Sequence, residues 1–209
     1  MSVAAVAADT FRSEVYKFYM LDGALAGLDS AAVADHYADV TDGLAAPLAF
    51  NTSVEPVAKP ATRFWDQLSS APAPGFEPIM AAARQFADHL HWRTNNNYIG
   101  IFDDHFFENE TFTEIIGPTG LLIADNFRAG FLILGENVHY PDHSHAATEL
   151  YHPVSGTGVW MQGDGEKREK SPGTPIFHTP WESHAMWATT PVLALWSWAG
   201  EDLAEAKPD

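Results

Sequence analysis

Residues 139–156, HYPDHSHAATELYHPVSG, put four histidines, a glutamate and two tyrosines into eighteen positions. His143 and His145 are two apart, and Glu149 lies four beyond the second. On an extended strand, residues i and i+2 project to one face, so the two imidazoles would reach a common ion. Glu149 and Tyr151 lie a further even number along and return to that face if the segment stays extended. Imidazole with carboxylate suits Fe, Mn, Zn, Co or Ni better than Mg or Ca, and three or four protein ligands leave coordination positions open for a substrate. The expectation is a site for one divalent transition metal.

Downstream, SPGTPIFHTPWESHA (171–185) reads as a turn, a short strand, a second turn and then His184. A closed β architecture would return that histidine beside the first three groups. From about Tyr98 onward the chain has this texture throughout. YIGIF, FTEIIG, LLIADNFRAGFLILG, ELYHPVSGTGVWMQ, TPIFHT, HAMWAT and VLALWSWAG are the strand candidates, punctuated by GPTG, GDGE and SPG. Short strands at such spacing point to a sandwich or small barrel. The first ninety residues are helical in pattern, with Phe11, Val15, Phe18 and Tyr19 on one periodic face and Ala32, Val33, His36 and Tyr37 on a second, the latter capped at Asp29-Ser30. A short helix follows around Phe64–Leu68. PIMAAARQFADHLHW (78–92) gives another, facing inward through Ile79, Ala83, Phe86 and Leu90. The organisation expected is a single domain, with a helical N-terminal cap over 1–92 and a β-barrel carrying the metal site over 93–209.

Composition narrows the function classes. With 11 Lys+Arg against 28 Asp+Glu, the net charge of −17 repels nucleic acid and anionic lipid, so neither partner is expected. The absence of cysteine excludes disulfides and thiolate chemistry, leaving His, carboxylate and Tyr as ligands. No basic leader and no long apolar span is evident, which makes a cytoplasmic location the default expectation.

His143, His145, Glu149 and Gly156, followed by Pro172-Gly173 and His184, resemble the two motifs of the cupin superfamily. Gly135 departs from the pattern by lying farther upstream of His143 than usual. The resemblance implies a mainly β fold, the double-stranded β-helix, with His143, His145, Glu149 and His184 around one metal. A narrower likeness is to the bacterial dimethylsulfoniopropionate lyases of the Ddd cupin type. It is carried by EIIGPTG, GFLILGENVHYPDHSH, ELYHPVSG, SPGTPIFHTPWESHA and ALWSWAG, and by Leu90-His91-Trp92 ahead of the barrel. Tyr140-Pro141 before the HxH and Tyr151 two residues after the glutamate are part of that likeness.

The reaction implied is β-elimination of dimethylsulfoniopropionate, a small zwitterion, to acrylate and dimethyl sulfide. A base must remove a proton beside the carboxylate, and a metal on that carboxylate makes the proton more acidic. Tyr151 is the first candidate for the base, with ligand, base or both in turn as its roles; Tyr140 is the second. A phenol with an ordinary pKa near 10 needs a neighbouring cation to act at neutral pH. Aromatic faces attract the sulfonium. Trp198 is the expected contact, with Trp160, Trp187 and Trp196 also on the β body and Tyr37 or Phe64 in the cap.

His178 is expected to support the site or fill the barrel. His139 and His152 are expected to point away from the metal face, and Arg128 reads as a surface ion pair. The rival readings are a metal-dependent dioxygenase or isomerase acting on a small carboxylate, and a non-catalytic cupin that binds a small ligand. The tyrosine pair weighs against the first and the complete ligand set against the second. A homodimer is among the assemblies open to such a chain.

Overall fold

In the computed structural model, which describes residues 2–21, 24–25 and 27–209, Ser2 and Ser30 start the first two helices. Their side chains accept the backbone N–H groups of Ala5 (3.1 Å) and Val33 (3.2 Å), opening α1 (Val3–Tyr19) and α2 (Ala31–Leu44). Strand β1 (Ala49–Phe50), helices α3 (Trp65–Ser70) and α4 (Glu77–Arg84), and strand β2 (Trp92–Arg93) complete the N-terminal part. The helix expected over 78–92 is shorter than its apolar periodicity suggested. Beyond Arg84 the backbone tightens: Phe86 and Leu90 donate to carbonyls three residues back, at Ala83 and Ala87, while their side chains stay buried.

YIGIF (98–102) is not a strand. The Asn95 side chain accepts the Asn97 N–H and starts a 3-10 turn, and Asp103 then caps α5 (Asp104–Asn109). Side-chain acceptors at Asn95 and Asp103 compete with strand pairing, which apolar content alone does not register.

The remaining strands are β3 (Glu110–Ile116), β4 (Leu122–Ile123), β5 (Phe127–Leu134), β6 (His139–Ser144), β7 (Thr148–Ser155), β8 (Gly158–Gln162), β9 (Arg168–Lys170), β10 (Ile176–His178), β11 (His184–Ala188), β12 (Val192–Ala199) and β13 (Lys207–Pro208). They form two sheets. The larger runs β1-β4-β3-β5-β12-β7-β10, with β2 also on β3; the smaller runs β13-β6-β11-β8-β9. This is the mainly β architecture with helices at the N-terminus that the sequence led us to expect.

The central strands of the larger sheet are buried on both faces, which is why GFLILG and VLALW are almost continuously apolar. Alternation still sorts them. Phe131, Ile133, Leu150, Val154, Leu193 and Leu195 join the core beneath the helices, whereas Leu132, Leu134, Tyr151, Ala194 and Trp196 join a second core shared with Tyr140, Trp160 and Met186 of the smaller sheet. Phe131 meets Phe11 edge-on and Trp65 at a tilt, 5.7 and 5.6 Å between centroids, clamping cap to sheet. Burial of one such ring contributes roughly 2–3 kcal/mol. Gly156, singled out in the motif, holds a left-handed φ of 83°, and a Cβ there would lie 1.9 Å from the Pro191 carbonyl oxygen. Only glycine fits this crossing of strands.

Polar side chains also join cap to barrel. Ser197 Oγ lies 2.7 Å from the Tyr19 hydroxyl and 2.9 Å from His36 Nε2, while His36 Nδ1 lies 2.8 Å from Thr148 Oγ1. His152 Nε2 donates to the Ala24 carbonyl at 2.7 Å. Burial lowers both His36 and His152 from 6.5 to about 4. The unfolded chain therefore binds more protons between these values, so stability is complete above about pH 6.5 and falls as the pH drops towards 4. By about pH 5 the loss should reach roughly 2 kcal/mol per histidine. Urea unfolding at about pH 7 and pH 5 measures it, and His152→Gln should flatten the dependence. An unchanged slope in that variant would refute the assignment.

Candidate active site

The extended run assumed for HSHAATELY breaks at residues 145–147. His143 lies on β6 in the smaller sheet, His145 at the corner, and Glu149 and Tyr151 on β7 in the larger sheet. The ligands therefore converge from facing walls and not along one strand. Tyr140 and Tyr151 likewise stand on different strands. His184 arrives on β11, paired in register with His143.

His145, Glu149 and His184 are all buried, and one ligand atom from each lies within 4.8 Å of the others. His145 Nε2 and His184 Nε2 stand 3.1 and 3.2 Å from the same oxygen, Glu149 Oε2. Their opposite nitrogens are tied to carbonyls: His145 Nδ1 donates to Ala147 (2.9 Å) and His184 Nδ1 to Glu182 (2.8 Å). His143 Nδ1 likewise donates to Pro141 (2.8 Å). Because a carbonyl only accepts, each imidazole carries its Nδ1 proton there and presents Nε2 to the interior. Two lone pairs against a carboxylate oxygen are attractive only with a proton or cation between them. The donor set thus fits a divalent transition metal, with backbone partners orienting the imidazoles. His143 stands outside the tight triad, its ring 4.1 Å from that of His184.

Around this cluster, Trp198 Nε1 donates to Glu149 Oε1 at 2.6 Å, and its ring lies 4.1 Å from that of His145. That leaves Oε2 to the histidines. Burial alone would raise the Glu149 carboxyl, but positive charge on the His145 and His184 side, whether a proton on the facing nitrogens or a cation in its place, outweighs it and holds the group well below the usual range. Burial, reinforced by the Glu149 charge, pushes the Tyr151 phenol well above its ordinary value. Burial likewise raises Tyr140, whose ring stacks on His143 at 4.0 Å and whose hydroxyl lies 2.8 Å from that of Tyr98. Glu149, Tyr140, Tyr151 and Trp198 line one cavity together with Phe112 and Trp196.

His178 is fully buried and stacks flat on His184 at 3.9 Å, without a hydrogen-bond partner among the described residues. His152 faces the helices, as its odd offset from Glu149 requires, whereas His139, four residues from His143, lies on the surface against Trp187 because the pairing of β6 with β11 shifts register between them. Arg128 corrects the expectation of a surface pair. It is buried, bonds Glu114 at 2.7 Å and the Leu203 carbonyl at 2.8 Å, and lines the cavity. The aromatic candidates of the cap, Tyr37 and Phe64, pack against the core beneath the helices and do not line the cavity. Tyr98 and Glu110 escaped the sequence reading. The first lies in YIGIF, whose apolar content resembles a strand, and the second is a lone acid with no motif around it.

The dimethylsulfoniopropionate lyase family model matches residues 34–194. A putative dimethylsulfoniopropionate lyase, DddL, from Cereibacter sphaeroides is 29% identical over 93 residues, 44% of this chain and 39% of that protein. The dimethylsulfoniopropionate lyase DddQ from Ruegeria pomeroyi is 28% identical over 88 residues, 42% of this chain and 44% of that protein. The alignments thus span less than half of each of these relatives. Among solved structures, one from a study of the lyases RdDddP and RnDddQII superposes with a TM-score of 0.74 at 21% identity, covering 99% of both chains. The crystal structure of Ruegeria pomeroyi DddQ gives 0.68 at 22% identity, covering 90% of this chain and 97% of that one. The structural likenesses establish the fold; the family match covers most of the sequence, and on it the chain belongs to the dimethylsulfoniopropionate lyase family.

Proposed function

We propose that the chain is a metal-dependent carbon–sulfur lyase that cleaves dimethylsulfoniopropionate to dimethyl sulfide and acrylate. The observation that carries this is the convergence of two Nε2 atoms on Glu149 Oε2, with Tyr151 two residues along the same strand and lining the same cavity. His145, Glu149 and His184 would hold one divalent metal, with His143 as the fourth ligand. Bound there, a divalent cation (Fe, Mn, Zn, Co or Ni) supplies Lewis acidity to a substrate carboxylate and favours a phenolate nearby.

The protein's own groups do the rest. Tyr151 takes the proton from the carbon beside the carboxylate. The electron pair of that C–H bond becomes the C=C bond of acrylate as the C–S bond breaks, and the sulfur leaves as neutral dimethyl sulfide. No general acid is needed for a neutral leaving group. Tyr140, bonded to Tyr98, assists in holding the substrate and in passing the proton outward from Tyr151. Trp198, with Trp196 and Phe112, supplies aromatic surface for the sulfonium methyl groups.

The test is headspace dimethyl sulfide from purified protein and dimethylsulfoniopropionate, before and after chelation, with add-back of Fe, Mn, Zn, Co and Ni singly. Chelation should abolish release, and at least one metal should restore it. No release with any of them would refute the lyase reading and turn attention to oxygen uptake on small carboxylates.

A further inference from the structure

Strand β3 carries two glutamates four residues apart, and their surroundings differ sharply. Glu114 is fully satisfied: Arg128 Nε donates to it at 2.7 Å, Arg93 at 3.2 Å and the Thr119 N–H at 2.7 Å. Glu110 is also buried, yet neither of its carboxyl oxygens has a hydrogen-bond partner among the described residues. A buried carboxyl without a partner costs stability, so a chain retains one more readily where a ligand completes it. Glu110 lines the same cavity as Glu149 and Tyr151, beside the aromatic side chains of Phe112, Trp196 and Trp198. An acid among aromatic faces is the environment that attracts an alkylated onium ion: the rings contribute cation–π attraction and the carboxylate a full opposite charge in a water-poor site.

We infer that Glu110 is a specificity-determining residue whose carboxylate pairs with the cationic, alkylated end of a short zwitterionic substrate, while the substrate carboxylate lies toward the His145–Glu149–His184 cluster. The identity of that cation as a sulfonium rests on the lyase reading; the preference for a cation rests on the cavity. Burial holds the Glu110 carboxyl well above the ordinary range, Lys59 opposing and Glu205 adding to the effect. An onium ion in contact favours the ionised form, which concentrates the electrostatic gain in the bound state.

Glu110→Gln keeps the shape and removes the charge. Two ligands of matched shape isolate the same variable: 3-(trimethylammonio)propionate and 4,4-dimethylpentanoate, titrated calorimetrically into the metal-loaded full chain. The wild type should prefer the cationic ligand by about tenfold or more, and the variant should bring the two within roughly threefold. Affinity for the neutral ligand should hold or improve. In the lyase assay the KM of the variant for dimethylsulfoniopropionate should rise about tenfold or more with kcat changed far less. Its melting temperature should equal or exceed that of the wild type, because the carboxyl it replaces has no hydrogen-bond partner to lose. A variant that keeps the preference overturns the inference, as does a wild type that shows none, or a variant that melts lower with its preference intact. Because the titrations need no turnover, a chain that discriminates through Glu110 but releases no dimethyl sulfide would refute the lyase reading alone.

Discussion

Tyr151→Phe is expected to keep the fold and the metal but to lose about 10²–10⁴-fold in turnover, the span that removal of one general base produces. The substitution deletes a single oxygen from a buried ring that packs with Leu132, Trp160 and Trp196, so the apolar contacts persist. Burial and the Glu149 charge keep the Tyr151 proton in place through the neutral range unless a positive charge stands at the cluster, so its basicity is tied to that cluster. The split between effects is diagnostic. A base lost from a site that still binds substrate lowers kcat while KM moves little. If metal content falls together with turnover, Tyr151 is a ligand first. If turnover survives, Tyr151 has no part in the chemistry, and Tyr140 becomes the candidate to replace.

His184→Ala should lose metal and activity together. Loss of an outer partner of a metal ligand already costs about 10–100-fold in affinity, so loss of a ligand should cost more. His184 is also one of the two imidazoles facing Glu149 Oε2, and the one against which His178 stacks. Removing it leaves the cluster one donor short and empties the volume on which His178 stacks, so the stabilisation that bound metal gives the fold is lost with it. The expected result is near-zero bound metal by elemental analysis after dialysis, no dimethyl sulfide, and a lowered melting temperature. His152→Gln, on the far face of β7, is the control and should retain its metal. Full metal content in His184→Ala would remove this histidine from the ligand set and with it the proposed centre.

Much of this was determined by the sequence alone. Turn residues and runs of β-forming side chains decide most of the strands, YIGIF excepted, and Ser30 decides where the second helix begins, because these are choices among neighbours along the chain. The motif residues His143, His145, Glu149, Tyr151 and His184 were legible for the same reason: their types and spacing are local facts. The residues that escaped depend on what lies across the barrel. The parity argument placed Glu149 on one strand with the histidines, yet the chain turns at 145–147 and brings it from the opposite sheet. Arg128 read as a surface charge until the fold enclosed it between Glu114 and the Leu203 carbonyl. Nothing local distinguishes Glu110 from Glu114; only the tertiary structure gives one of them arginine partners and turns the other, unpartnered, toward the cavity. Side-chain identity sets what a group can do, whereas its charge state and partners follow from burial and distance, which exist only once the sheets have closed around it.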